Sequence, residues 1–281
     1  MSQKVESAAT KIRYSCAVRI QSRSDIFLRT ERLACRALLL LALATLAAWR
    51  IGAAAPVAAQ AKTKVNPPDG LTYVLVTAGT FQMGCSPDDS TCKDDERPVH
   101  AVTITKDFWI GETPATQAAY KKVMKGVNPS IHKGDQMPVT FIRWAEADAY
   151  CKAVEMRLPT EAEYEYASRG GSMAPRYGPI GDIAWYFANS GGLQAKDVKQ
   201  KQPNKYGLYD VLGNVWAWTS DWYGPYSAAP ATDPTGPATG RERAERGGSW
   251  FTGPLTIRAS TRDYHVPEYR YTDVGVRCAG N

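Results

Sequence analysis

The chain has 281 residues, with 34 Lys/Arg against 28 Asp/Glu and a formal charge of +6. Residues 1–61 hold nine of the basic and three of the acidic side chains, so the remaining 220 residues are balanced at 25 each. That balance argues against a nucleic-acid partner or an anionic-membrane surface, and the chain shows no low-complexity tract, heptad or fixed-period repeat.

The leader comes first. Residues 37–49 (ALLLLALATLAAW) carry no charge, follow Arg32 and Arg36, and lead into a small-residue run with Ala59-Gln60-Ala61. A basic flank, a short apolar core and an A-x-A site predict a secretory signal peptide over residues 1–61. Such a core would rise about 20 Å as a helix against a hydrocarbon thickness of about 30 Å, although Ile51 and the following alanines could lengthen it into an uncleaved anchor. The expectation is export to the periplasm or outside the cell, with a membrane involved only through this leader. Residues 62–70 (KTKVNPPDG) read as a flexible lead-in, and 71–281 as one domain.

Within the domain, Tyr73–Thr77 and Phe81–Met83 read as short strands joined through Ala78-Gly79-Thr80. His100–Thr105 alternates as a strand that continues into Phe108-Trp109-Ile110. Helices are predicted over Thr116–Lys125, over WAEADAYCKAV (144–154), and from Pro159 onwards. In the last, Thr160 is an N-cap and Glu163 completes a capping box. Glu161, Glu163 and Glu165 read as capping and solvent-facing. Beyond Arg169 the chain is irregular and rich in Trp and turn residues, and 224–246 reads as a surface excursion. Few helices, short strands and much ordered loop predict an α+β fold. Trp216, Trp218 and Trp222 read as core, and Gly213-Asn214 as a tight turn with Asn at positive φ.

Cys16 and Cys35 fall in the leader, leaving Cys85, Cys92, Cys151 and Cys278. In an oxidising compartment these predict two disulfides, with three connectivities open. A short polar loop, SPDDST, could close Cys85 on Cys92, and Cys151 would then meet Cys278. A zinc site is the rival reading, unsupported by any C-x-x-C spacing or paired His.

Several strings together resemble one family. VTAGTFQMG (76–84), DDERPVH (94–100), RLPTEAEYEYASRGG (157–171), PNKYGLYDVLGNVWAWTSDW (203–222), RGGSW (246–250) and VGVRCA (274–279) are similar, in order and spacing, to the formylglycine-generating enzyme, or sulfatase-modifying factor, family. The resemblance implies a C-type-lectin-like α+β fold with low regular secondary structure, and it implies that Cys151 pairs with Cys278. It also implies copper held by two cysteines shortly after the Gly-Gly-Ser turn, because thiolates select Cu(I). Here Thr252 stands at the first position and the second has no cysteine, so copper is not expected and no catalytic residue is assigned. The family's G-N-x-W-E-W string binds calcium through Asn and Glu; this chain has Asn214 but Ala217, which leaves calcium open at a weakened site.

Candidate ligand-binding residues are Trp250, Arg258, Arg262, Asp263, Tyr264, His265, Tyr269 and Arg270, which combine planar area with hydrogen bonding. Arg258 and Arg262 read equally well as loop-tying residues, and His265 as an acid or base or as a surface residue. The leading expectation is a recognition module for a peptide, glycan or small molecule. The alternative is an oxidoreductase of the same family acting on a small molecule or on a cysteine-containing protein. Relatives that use non-haem iron draw histidines from an additional helical domain, whereas His100, His132 and His265 are scattered here.

Overall fold

The computed structural model describes residues 61–281. The leader lies outside the described residues except for Ala61. In chain order the strands and helices are β1 (Thr63–Val65), β2 (Thr72–Val76), β3 (Gly79–Met83), β4 (His100–Ile104), β5 (Phe108–Gly111), α1 (Gln117–Val123), α2 (Trp144–Ala153), α3 (Glu161–Arg169), α4 (Ile180–Ile183) and α5 (Phe187–Ser190). They continue as β6 (Trp216–Trp222), β7 (Ala231–Thr232), β8 (Arg243–Arg246), β9 (Arg262–His265), β10 (Val274–Gly275) and β11 (Ala279–Gly280). The strands form three small sheets, ordered β1-β2-β5-β11, β10-β6-β8-β9 and β3-β4-β7. Mixed helix and sheet with long ordered connections make this an α+β fold, as the sequence predicts. No described helix is long and apolar enough to cross a membrane.

Three local expectations change. The lead-in 62–70 is ordered: β1 pairs with β2, and the following turn is fixed by Asn66 and Asp69, both buried. Asn66 Nδ2 donates to the Val154 carbonyl at 3.1 Å, and Asp69 accepts from the hydroxyls of Tyr73 and Tyr150 at 3.1 and 3.2 Å. Asn and Asp favour such turns because their side chains bond nearby backbone and buried donors, and here two core tyrosines need that acceptor. The strand from His100 does not continue through Ile110. It breaks at Thr105–Asp107, where Asp233 accepts from the Thr105 N–H and hydroxyl, and β4 and β5 enter different sheets. Residues 243–246 of the expected surface excursion are β8, an inner strand whose Ala244, Glu245 and Arg246 are fully buried.

α3 carries the largest correction. Its capping box is present: the Glu163 N–H donates to Thr160 Oγ1 at 3.1 Å, and Glu163 Oε2 accepts from the Thr160 N–H at 2.8 Å. Glu161, Glu163 and Glu165 are nevertheless all buried. Each meets arginine: Glu161 meets Arg262, Glu163 meets Arg157, and Glu165 meets Arg169 and Arg246. A buried carboxylate is tolerated when it is paired and hydrogen-bonded, and here the partners are Arg246 and Arg262 from distant strands, Arg157 just before the helix and Arg169 at its end.

The main core packs Trp216, Trp218, Tyr73, Tyr120 and Tyr150 around the disulfide Cys151–Cys278. The Trp218 indole N–H donates to the Ile142 carbonyl at 3.2 Å. Trp222 is only half-buried; the Arg243 guanidinium lies over its ring at 3.5 Å and over that of Trp144 at 3.8 Å. The second disulfide is Cys85–Cys92.

Candidate functional site

The segment between β8 and β9 carries the positions that matter for copper. Gly247 and Gly248 both have positive φ, +102° and +81°, and a Cβ would meet the Tyr164 hydroxyl at 2.7 Å or the Ile257 Cδ1 at 2.6 Å. Two glycines therefore turn the chain sharply out of the sheet. Ser249 follows, fully buried, donating from Oγ to Asp273 Oδ2 at 2.8 Å.

Thr252, at the first copper position, turns back on Ser249. Its hydroxyl donates to the Ser249 carbonyl at 2.9 Å and accepts the Ser249 N–H at 3.1 Å. A few residues on, Ile257 is fully buried against Ile183, Ala184 and Leu212. The four cysteines of the described chain are all in disulfides. A soft ion that selects thiolates has no donors in this segment, so the residues present do not fit the family's copper.

Calcium fares no better at Asn214. Its backbone adopts φ +63°, as the expected turn requires. The side chain is fully buried, with Oδ1 accepting the Lys196 N–H at 2.9 Å and Nδ2 donating to the Lys196 carbonyl at 3.1 Å. The oxygen that would face a cation faces a backbone donor, and Ala217 adds no carboxylate, whereas Ca²⁺ takes six to eight oxygens. Asn189 caps α5 through the Tyr186 N–H at 2.8 Å. Among the described residues no group of three His, Cys, Asp or Glu side chains is arranged to hold a metal.

The eight candidate recognition residues do not form one surface. Three are ion-paired: Arg258 with Glu96 and Asp89, Arg262 with Glu161, and Arg270 with Glu146. Arg258 and Arg262 are buried, so their loop-tying role is the one realised. Trp250 is buried too, held by its backbone N–H to the Asn214 carbonyl at 2.8 Å. Asp263 is half-buried, its Oδ1 accepting the Tyr264 N–H at 2.9 Å. Tyr264 is exposed and stacks on Tyr223 with ring centroids 4.2 Å apart, and Tyr269 is exposed.

His265 has a partner that the sequence did not point to. Its Nδ1 lies 2.9 Å from Oε2 of the fully buried Glu245, and its ring packs on Tyr271 at 3.8 Å. Burial pushes Glu245 up to about 7. Burial alone would lower His265, but the hydrogen bond and charge of Glu245 outweigh it and raise the imidazole. Glu245 Oε1 has no hydrogen-bond partner among the described residues. Burial also raises Asp273, which senses the charge of His265. Only His265–Glu245 is an acid–base pair; Ser249–Asp273 is a hydrogen bond whose carboxylate lies near enough to feel the His265 charge. The strand register sets Glu245 opposite Asp263, a relationship that no spacing in the sequence reveals.

Apolar side chains missed as candidates stand over this segment. Phe251 and Leu255 are 59% and 64% exposed, and Phe187 is 52% exposed with its ring edge-on to Phe251 at 6.0 Å. The loop is held in place: the Phe187 N–H donates to the Thr252 carbonyl at 3.0 Å, and Arg176 Nε donates to the Ile257 carbonyl at 2.6 Å.

The sulfatase-modifying factor enzyme 1-like domain family matches residues 57–281. The formylglycine-generating enzyme of Streptomyces coelicolor is 29% identical over 279 residues, covering 74% of this chain and 88% of that protein. Among solved structures, PvdO from Pseudomonas aeruginosa is similar at a TM-score of 0.72 and 26% identity, covering 78% of this chain and 98% of that one. Treponema denticola variable protein 1 gives 0.69 and 28%, with 80% and 99% coverage. With four-fifths of its length matched and its fold shared, this chain belongs to the sulfatase-modifying factor enzyme 1-like domain family.

Proposed function

We propose that the chain is an exported member of this family that recognises a peptide, glycan or small-molecule ligand and does not carry out copper-dependent formylglycine formation. The observation behind this reading is the state of the copper segment. Thr252 spends its hydroxyl on Ser249, Ile257 is core, and no free thiol stands among the described residues. In their place a fixed loop exposes Phe251 and Leu255 beside Phe187. Rigid aromatic area on a pinned loop favours recognition because little rotamer entropy is lost on binding.

The test has two arms. The purified chain, given copper, oxygen and a peptide bearing C-x-P-x-R, should leave the cysteine unconverted by mass spectrometry while an authentic enzyme converts it. Peptide and glycan arrays should then yield a ligand whose binding is lost in F187S/F251S. Conversion of the cysteine in the first arm would overturn the reading.

A second reading rests on the acid–base pair. Glu245 and His265 could move a proton in a small-molecule oxidation by the same scaffold, and H265Q would then abolish turnover without affecting array binding.

A further inference from the structure

The two disulfides sit in opposite environments. Cys151 and Cys278 are both within 2% of full burial and pack inside the main apolar core. In Cys85–Cys92, by contrast, Cys92 is half-buried, and Cys85, though only 6% exposed, lies on the wall of a cavity of about 470 Å³. Gln82, Pro87, Val99 and Met173 also line that cavity.

Each sulfur of this outer pair faces a guanidinium. Arg97 Nη2 is 3.2 Å from Cys85 Sγ, and Arg258 Nη1 is 3.7 Å from Cys92 Sγ. Arg258 is engaged by Glu96 and Asp89. Arg97 is exposed, forms no ion pair with a carboxylate among the described residues, and makes its hydrogen bond to the sulfur. A disulfide sulfur is a weak acceptor, whereas a thiolate beside arginine is strongly stabilised. The carbonyls of Ser86 and Asp89 lie 3.5 and 3.6 Å from the same sulfur, positioned to accept from a Cys85 thiol. Arg97 thus favours Cys85 as the thiolate at the moment it departs, and the two carbonyls accept from it once it is protonated.

We propose that Cys85–Cys92 is an exchange-active disulfide that reacts with thiol-bearing peptides. The incoming thiolate attacks the half-buried Cys92 sulfur. A new S–S bond joins it to Cys92 as the Cys85–Cys92 bond breaks, and the electron pair leaves on Cys85 as a thiolate facing Arg97 and the cavity. A second thiol attacking the peptide sulfur of that mixed disulfide releases an oxidised peptide pair and leaves Cys85 and Cys92 reduced. Two thiols are oxidised and one disulfide is reduced, so the step balances without another oxidant. Arg97 accelerates the first attack because a lower-pKa thiol is the better leaving group.

The experiment treats the native full chain with reduced glutathione, traps free thiols with an alkylating agent at intervals, and maps each cysteine peptide by mass spectrometry. Glutathione should appear on Cys92 and the alkyl label on Cys85, while Cys151–Cys278 stays closed. R97A should slow this exchange by about threefold or more, because the departing Cys85 thiolate loses the guanidinium that faces it, with an unchanged melting temperature. R97K should exchange faster than R97A. An outer disulfide that stays closed, one that opens no faster than Cys151–Cys278, or one whose rate ignores Arg97 would overturn the proposal. Should R97A lose its fold, the position of glutathione in the unmodified chain decides alone.

Discussion

Arg262 and Glu161 meet in two parallel hydrogen bonds, Nε to Oε1 at 2.6 Å and Nη2 to Oε2 at 2.9 Å, with both side chains buried. The pair fastens β9 to the first turn of α3, and the guanidinium also lies over the Tyr226 ring at 3.9 Å. Removing Arg262 leaves the buried Glu161 carboxylate with only its longer arginine contact, to Arg246 at 3.7 Å, a loss of compensation that costs more than the pair is worth. R262M should therefore lose about 3–5 kcal/mol in urea unfolding. E161Q/R262M should recover a large part of that loss, because no charge is left without its partner.

Stability should fall as pH rises from mildly acidic to alkaline. Burial carries Glu245 from an ordinary 4.5 to about 7, and Asp221 from 3.8 to about 7. The folded chain thus holds protons that the unfolded chain releases, and stability drops as pH climbs towards those values. His265 is raised above 6.5, so its contribution is full below that value and lost as pH passes its folded pKa. Glu161 and Glu96 run the other way. Burial would raise each, but Arg262 and Arg246 outweigh it at Glu161, as Arg258 and Ser260 do at Glu96. Their contribution is present above 4.5 and lost as pH falls through their folded values. The urea midpoint should peak at about pH 4 to 5 and decline from there through neutral pH, and E245Q should flatten that decline.

The two disulfides should differ in worth. Sequence separations of 127 and 7 residues predict losses of about 5 kcal/mol for C151A/C278A and about 2 kcal/mol for C85A/C92A on the loop-entropy account. Chemical unfolding of both double variants checks the order; equal losses would count against it.

Chelation offers a direct test of the calcium argument. With Asn214 satisfied by Lys196, excess EDTA should leave the melting temperature unchanged. A fall of several degrees that added calcium restores would show that the turn at Asn214 opens to accept the ion.

The sequence made the three longer helices, the capping box, the positive-φ turn at Asn214 and the missing copper ligands legible, because each depends on neighbours in the chain or on the identity of one residue. Thr252 cannot be a thiolate whatever the fold does. The buried glutamates of α3 were not legible. EAEYEYASR carries three carboxylates in its first turn and a half, with Glu163 on the opposite side from Glu161 and Glu165, a density of charge that reads as capping and solvated. Their arginine partners at Arg246 and Arg262 come from β8 and β9, some eighty to a hundred residues downstream. Glu245 was hidden for a related reason: its burial follows from β8 being an inner strand, and residues 224–242 before it look like surface loop. Arg258, Arg262 and Arg270 looked like ligand-binding residues because the same planar, multivalent side chain serves equally to clamp a carboxylate at home.

The strand order β1-β2-β5-β11 has a consequence for synthesis. The first strands to leave the ribosome belong to the same sheet as residues 279–280, and Arg157 exchanges backbone hydrogen bonds with Ala279, 2.8 and 2.7 Å long. A nascent chain therefore cannot finish its first sheet, or seal Cys151 to Cys278, until almost all of the domain has emerged. Until then β5 presents an open edge. Until residues 279–280 emerge the domain must be kept from pairing with other chains, and a chain cut short before them leaves it unclosed.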